Sequence, residues 1–132
     1  MATIKTIKGS DERLYKTSFH YAYIRNTLLQ ICTALGIELP KYELGDKTHY
    51  DFALEIDGIF FTIYDWKESD LVNERTVLDY HIGTATTEES KQVVEKLRSY
   101  GLNAETAEEM EARVCTLIDA INKKNKYKVT KS

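Results

Sequence analysis

The Asp57-Gly58 pair constrains this chain more tightly than any other feature. It lies between two runs rich in β-branched and aromatic residues, 50–56 and 59–67. An Asp-Gly pair favours positive φ at both central positions of a two-residue type I′ turn, so the two runs are predicted to form a hairpin with Ile56 facing Ile59. The register follows. On one face Leu54 lies opposite Phe61, Phe52 opposite Ile63 and Tyr50 opposite Asp65. On the other, Glu55 meets Phe60, Ala53 meets Thr62, Asp51 meets Tyr64 and His49 meets Trp66. The first face is apolar and is expected to meet the core. The second mixes aromatic rings with acids and a histidine, too polar for a full core and too aromatic for an ordinary solvated face.

A third run, residues 77–82, alternates in the same way and can join the second strand as an antiparallel neighbour. With Leu78, Tyr80 and Ile82 inward, Asp79 and His81 share a face with Phe60, Tyr64 and Trp66. Helices or a partner subunit could equally cover that face, because aromatic strand faces commonly serve packing. The polar link at 68–76 is long for a hairpin connection, which brings Asn73, Glu74 and Arg75 into view as loop residues held by a rigid sheet.

The remaining chain reads mainly as helix. Residues 2–8 suggest a weak strand or an arm. From about Thr17, residues Phe19, Ala22, Tyr23, Leu28, Ile31, Cys32 and Leu35 recur at intervals of three and four, predicting one long helix ended by Gly36. Tyr15, His20, Tyr21 and Tyr23 cluster near its start, where core packing is the ordinary role of such rings. Residues 38–47 read as loop. After Gly83, Thr86 and Glu89 propose a capping box for a helix with a buried stripe of Val93, Val94, Leu97 and Tyr100, ended by Gly101. A second box, Thr106 with Glu109, opens a last helix with the stripe Met110, Val114, Leu117, Ile118 and Ile121. The segment 123–132 is rich in lysine and is expected to fray. The sum is an α+β domain: an antiparallel sheet of three or more strands, packed on one face by three helices.

A length of 132 residues suits one domain that buries roughly two thirds of its unfolded surface. A net charge of −3 gives no broad basic field for duplex nucleic acid. No apolar run reaches membrane-spanning length, and the N-terminal residues lack the apolar core of a signal peptide, so a cytoplasmic location is expected and no membrane partner. Cys32 and Cys115 fall in helical patterns and read as reduced, buried small hydrophobes. No Cys/His spacing suits zinc, and no cofactor is implied. Phosphate loop, dinucleotide fingerprint, nucleophile elbow and zinc-protease helix are all missing from the sequence. The strand-to-helix junction after Gly83 could dock an anion, although Glu88 and Glu89 oppose one there.

The run Phe61-Thr62-Ile63-Tyr64-Asp65-Trp66-Lys67, followed by His81-Ile82-Gly83, resembles small accessory proteins of bacteriophages that carry an F-x-[IL]-Y-D-[WY]-K strand and then H-I-G before a helix. The resemblance implies a protein made in the cytoplasm of an infected bacterium. Small phage accessory proteins often block host machinery, including immune enzymes or the nucleotide signals that those enzymes release.

Three functions remain open. In the first, the chain binds and sequesters a nucleotide-like small molecule without turning it over: Tyr64 and Trp66 stack on its base, while His81, His49, Lys67 or Arg75 meet its polar groups, with Asp79 and Phe60 on the same face. In the second, the same face docks on a host defence protein, with Trp66 and Tyr64 as hot spots. In the third, His81 acts as acid or base, aided by Asp79, in a nucleotide-processing enzyme. A homo-oligomer is expected as well, closing either the aromatic face or an unprotected sheet edge.

Overall fold

The computed structural model describes residues 4–7, 19–45 and 47–131. Asp57 and Gly58 have φ of 49° and 84°, so the turn takes the I′ conformation that an Asp-Gly pair favours. It joins β3 (Asp51–Ile56) to β4 (Ile59–Tyr64), and the register is the expected one, with Ile56 opposite Ile59, Leu54 opposite Phe61 and Asp51 opposite Tyr64. β5 (Val77–Thr84) lies antiparallel beside β4 with His81 opposite Tyr64. Outside these strands run β1 (Ile4–Ile7), β2 (Phe19–Thr27) and β6 (Ala104–Thr106), giving an antiparallel sheet in the order β1-β3-β4-β5-β2-β6.

Among the described residues three helices complete an α+β fold: α1 (Leu28–Leu35), α2 (Thr87–Ser99) and α3 (Ala107–Lys131). Leu54, Ile56, Phe61, Ile63, Leu78, Tyr80 and Ile82 point to one side of the sheet and are buried with Leu28, Ile31, Cys32 and Leu35 of α1 and Val93, Val94 and Leu97 of α2. The hairpin's apolar face is therefore the core face, as the alternation predicts. Phe52 is only half-buried, near the end of its strand.

The long helix expected from Thr17 is corrected. Thr17 and Tyr15 lie outside the described residues, and residues 19–27 form a strand in place of a helix. The segment 19–24 carries β-branched and aromatic residues whose spacing satisfies both periods. β5 on one flank and β6 on the other supply the ladder hydrogen bonds that decide between them. Ala22, Ile24 and Asn26 are buried, with Tyr23 and Arg25 on the opposite face. The helix starts only at Leu28, where Thr27 Oγ1 accepts from Gln30 N and Gln30 Oε1 accepts from Thr27 N, both at 3.0 Å, a capping box passed over in the sequence. Gly36 ends it at φ 68°, as expected.

The capping residue of α2 is Thr86, whose Oγ1 accepts from Glu89 N at 3.1 Å. Both halves of the second box form: Thr106 Oγ1 accepts from Glu109 N at 3.2 Å, and Glu109 Oε1 accepts from Thr106 N at 3.1 Å. The stripe that α3 was expected to bury is exposed, with Val114, Leu117, Ile118 and Ile121 between 41% and 57% accessible. α1 and α2 fill the core side of the sheet, whereas α3 contributes no residue to that core and meets the sheet beside β2 and β6. Residues 111–124 are exposed, Cys115 with them, while Cys32 is buried as expected. No described helix is long and apolar enough to cross a membrane.

Candidate functional site

Alternation sends Tyr23 of β2, His81 of β5 and Tyr64 of β4 to the side of the sheet away from the core. The register makes them neighbours, because His81 stands opposite Tyr23 on one flank and Tyr64 on the other. The His81 ring centroid is 5.3 Å from that of Tyr23, in an edge arrangement, and 5.3 Å from that of Tyr64. Trp66, just past the end of β4, lies over the same histidine at 6.3 Å with ring planes 29° apart, and its indole is 6.2 Å from Tyr64. Trp66 is 40% exposed, whereas Tyr64 and His81 are half-buried. Burial, helped by the charge of Asp51, holds the Tyr64 phenol above its usual pKa, so it is a neutral hydroxyl at physiological pH.

Two lysines frame the indole. Lys67 adopts φ 53° and its N–H donates to Lys47 O at 2.7 Å, which draws the loop before β3 against the end of β4. The ammonium groups of Lys47 and Lys67 then lie 5.5 and 5.7 Å from the Trp66 ring centroid, within cation–π range.

Four of the sequence-predicted residues, Tyr64, Trp66, His81 and Lys67, are thus brought together. Phe60 lies on the same strand face, half-buried and opposite Glu55. Asp79 shares the face with His81, but its Oδ2 is ion-paired to Arg25 Nη1 at 2.9 Å. Arg75 is exposed in the 68–76 loop, where its N–H donates to Asn73 Oδ1 at 2.8 Å. Tyr23 and Lys47 were missed: the first was read as helical, and the second sits in a loop whose approach to Trp66 has no periodic signature.

His49 is corrected. It does not share the Trp66 face but turns inward and is only 4% exposed. Past Asp51 and Tyr64 one more backbone bond forms, Asp65 N donating to Tyr50 O at 3.2 Å, and there the Asp65 side chain takes over: its Oδ1 accepts from His49 N and Tyr50 N at 2.7 and 2.8 Å. His49 Nδ1 lies 2.7 Å from Asp65 Oδ2 and Nε2 2.7 Å from Asp70 Oδ1, and the ring stacks on Tyr42. Those carboxylates raise the histidine pKa against the opposing effect of burial. The group is a structural clamp that ties the 68–76 loop to the base of the hairpin.

A cleft of about 560 Å3 near β6 is lined by Arg25, Arg98 and Arg113, yet each guanidinium already meets a carboxylate: Asp79 at 2.9 Å, Glu109 at 2.6 Å and Glu105 at 2.6 Å. Among the described residues no group of His, Cys, Asp and Glu side chains is placed to hold a metal ion. Fold and surface together define a small α+β domain in which a partly exposed, lysine-flanked tryptophan lies beside the sheet face turned away from the core. Comparison of the chain with family models, curated proteins and solved structures finds no match.

Proposed function

We propose that this chain is a phage-type accessory protein that binds a nucleotide-like small molecule at Trp66 and sequesters it without chemical change. One observation carries the reading: an exposed indole, backed by the His81 ring at 6.3 Å, has two lysine ammonium groups within 5.7 Å of its ring centroid. A planar base stacks on the indole, contributing about 1–3 kcal/mol, and its phosphate takes the lysines.

Trp66 is the only tryptophan, so its fluorescence reports on this face alone. Titration with mononucleotides and cyclic dinucleotides is expected to quench it saturably, and ligand recovered by heat should be chemically unchanged. Degraded ligand would mean an enzyme. No response to any nucleotide would favour the second reading, docking on a host defence protein. That reading draws support from the exposure of the Trp66 ring, the type of side chain that most often anchors protein interfaces.

A further inference from the structure

We infer that α3 is the dimerisation element of this protein and that it pairs antiparallel with α3 of a second copy. Val114, Leu117, Ile118 and Ile121 recur at three and four along one side of the helix, and all four are 41% exposed or more. Four large aliphatic side chains in one stripe form a contiguous apolar patch of the kind that monomers rarely leave in water. The sheet edges are a weaker route to assembly, because β1 has four residues and β6 three, and short edge strands offer few free backbone groups.

The charge pattern along α3 selects the occupant. Its first turns are acidic, with Glu108, Glu109 and Glu111, and its last turns are basic, with Lys123, Lys124, Lys126, Lys128 and Lys131. The apolar stripe continues toward the C-terminus through positions 124 and 128, both lysine. A parallel pair would bring each of those lysines to the level of its own copy. An antiparallel pair crossing between Leu117 and Ile118 sets Val114 level with Ile121 of the partner subunit and Glu111 level with Lys124 of the partner subunit, and it opposes the helix dipoles. A second copy thus answers both the apolar stripe and the charge gradient. Four side chains per copy make a small contact against the roughly 800 Å2 per partner of a standard interface, so the dimer should dissociate on dilution.

Sedimentation equilibrium across a range of protein concentrations tests the pairing. The wild type is expected to move from monomer to dimer, and Leu117→Gln/Ile121→Gln to associate at least about tenfold more weakly with unchanged far-ultraviolet circular dichroism. A wild type that stays monomeric throughout, or a dimer that tolerates the double substitution, overturns the inference. Orientation is read from a spin label on Glu111→Cys in a Cys32→Ser/Cys115→Ser background. The antiparallel pair separates the two labels by about 20 Å along the helix axes, at about 1.5 Å per residue, whereas a parallel pair brings them to about the interaxial distance of 10 Å. The short distance would overturn the antiparallel arrangement. The outcome is independent of any ligand at Trp66.

Discussion

The imidazole of His49 meets the carboxylate of Asp65 with Nδ1 2.7 Å from Oδ2, both side chains almost wholly buried at the base of the central hairpin. Asp65 also accepts the N–H groups of His49 and Tyr50 through its side chain while its own N–H donates to Tyr50 O at 3.2 Å, so the carboxylate supplies the return half of the last pair where β3 and β4 part. Asp65→Ala would leave two buried amides and His49 Nδ1 without their acceptor at once. Removing one partner from a buried charged pair costs about 3–5 kcal/mol, and urea unfolding should register a loss of that order. A loss no larger than that of an ordinary surface substitution would refute the structural role.

The same clamp makes stability depend on pH in a stated direction. Both ring nitrogens face carboxylate oxygens at 2.7 Å, and only the imidazolium has a proton for each. The hydrogen bonds to Asp70 and Asp65 accordingly raise the pKa of His49 above the ordinary 6.5. A group whose pKa is higher folded than unfolded contributes its full stabilisation below the unfolded value and loses it as pH rises through the folded one. The melting-temperature gap between wild type and His49→Gln should be widest on the acid side of pH 6.5 and narrow in alkaline buffer. A gap that does not change with pH would mean that the ring stays neutral.

The hairpin was legible because its information is local: Asp57-Gly58 sets the turn, the turn sets the register, and the register fixes which side Ile63 and Tyr64 face. Tyr64, His81 and Trp66 follow from it in sequence alone. His49 escaped the same logic because the ladder ends before reaching it, and the carboxylate that captures it arrives from a residue expected to sit opposite Tyr50. β2 was lost for a different reason. Residues 19–24 satisfy helical and strand periods together, and the partners that decide between them, β5 and β6, come much later in the chain. α3 shows the limit of an apolar stripe, which marks a face that wants cover without saying whether this chain supplies it.

Tyr80 offers a test with the opposite sign. Its side chain is fully buried on β5, and among the described residues its hydroxyl has no hydrogen-bond partner. Burial accordingly pushes the phenol well above its usual pKa. An unpaired buried hydroxyl costs about 1–3 kcal/mol, so Tyr80→Phe, which keeps the ring, is expected to be neutral or to stabilise by about 1 kcal/mol. Chemical denaturation showing a clear destabilisation would mean that the hydroxyl has a partner.

Asn26 carries the joint between strand and helix. Nearly buried on β2, it accepts from Asn103 N at 2.8 Å through Oδ1 and donates from Nδ2 to Gln30 Oε1 at 3.1 Å. The same Gln30 oxygen accepts from Thr27 N, so one side chain links the cap of α1 to the turn that delivers β6. Asn26→Ala removes both contacts and leaves the Asn103 amide without its acceptor, for an expected loss of about 2 kcal/mol. Thr27→Ala removes only the acceptor for Gln30 N and should lose about 1 kcal/mol. Hydrogen exchange separates the two. Asn26→Ala should speed exchange at Asn103 and through β6 while the β3–β4 hairpin stays protected, and Thr27→Ala should act mainly at the first turn of α1. Equal acceleration across the whole sheet in the Asn26 variant would show that the joint acts through global stability alone.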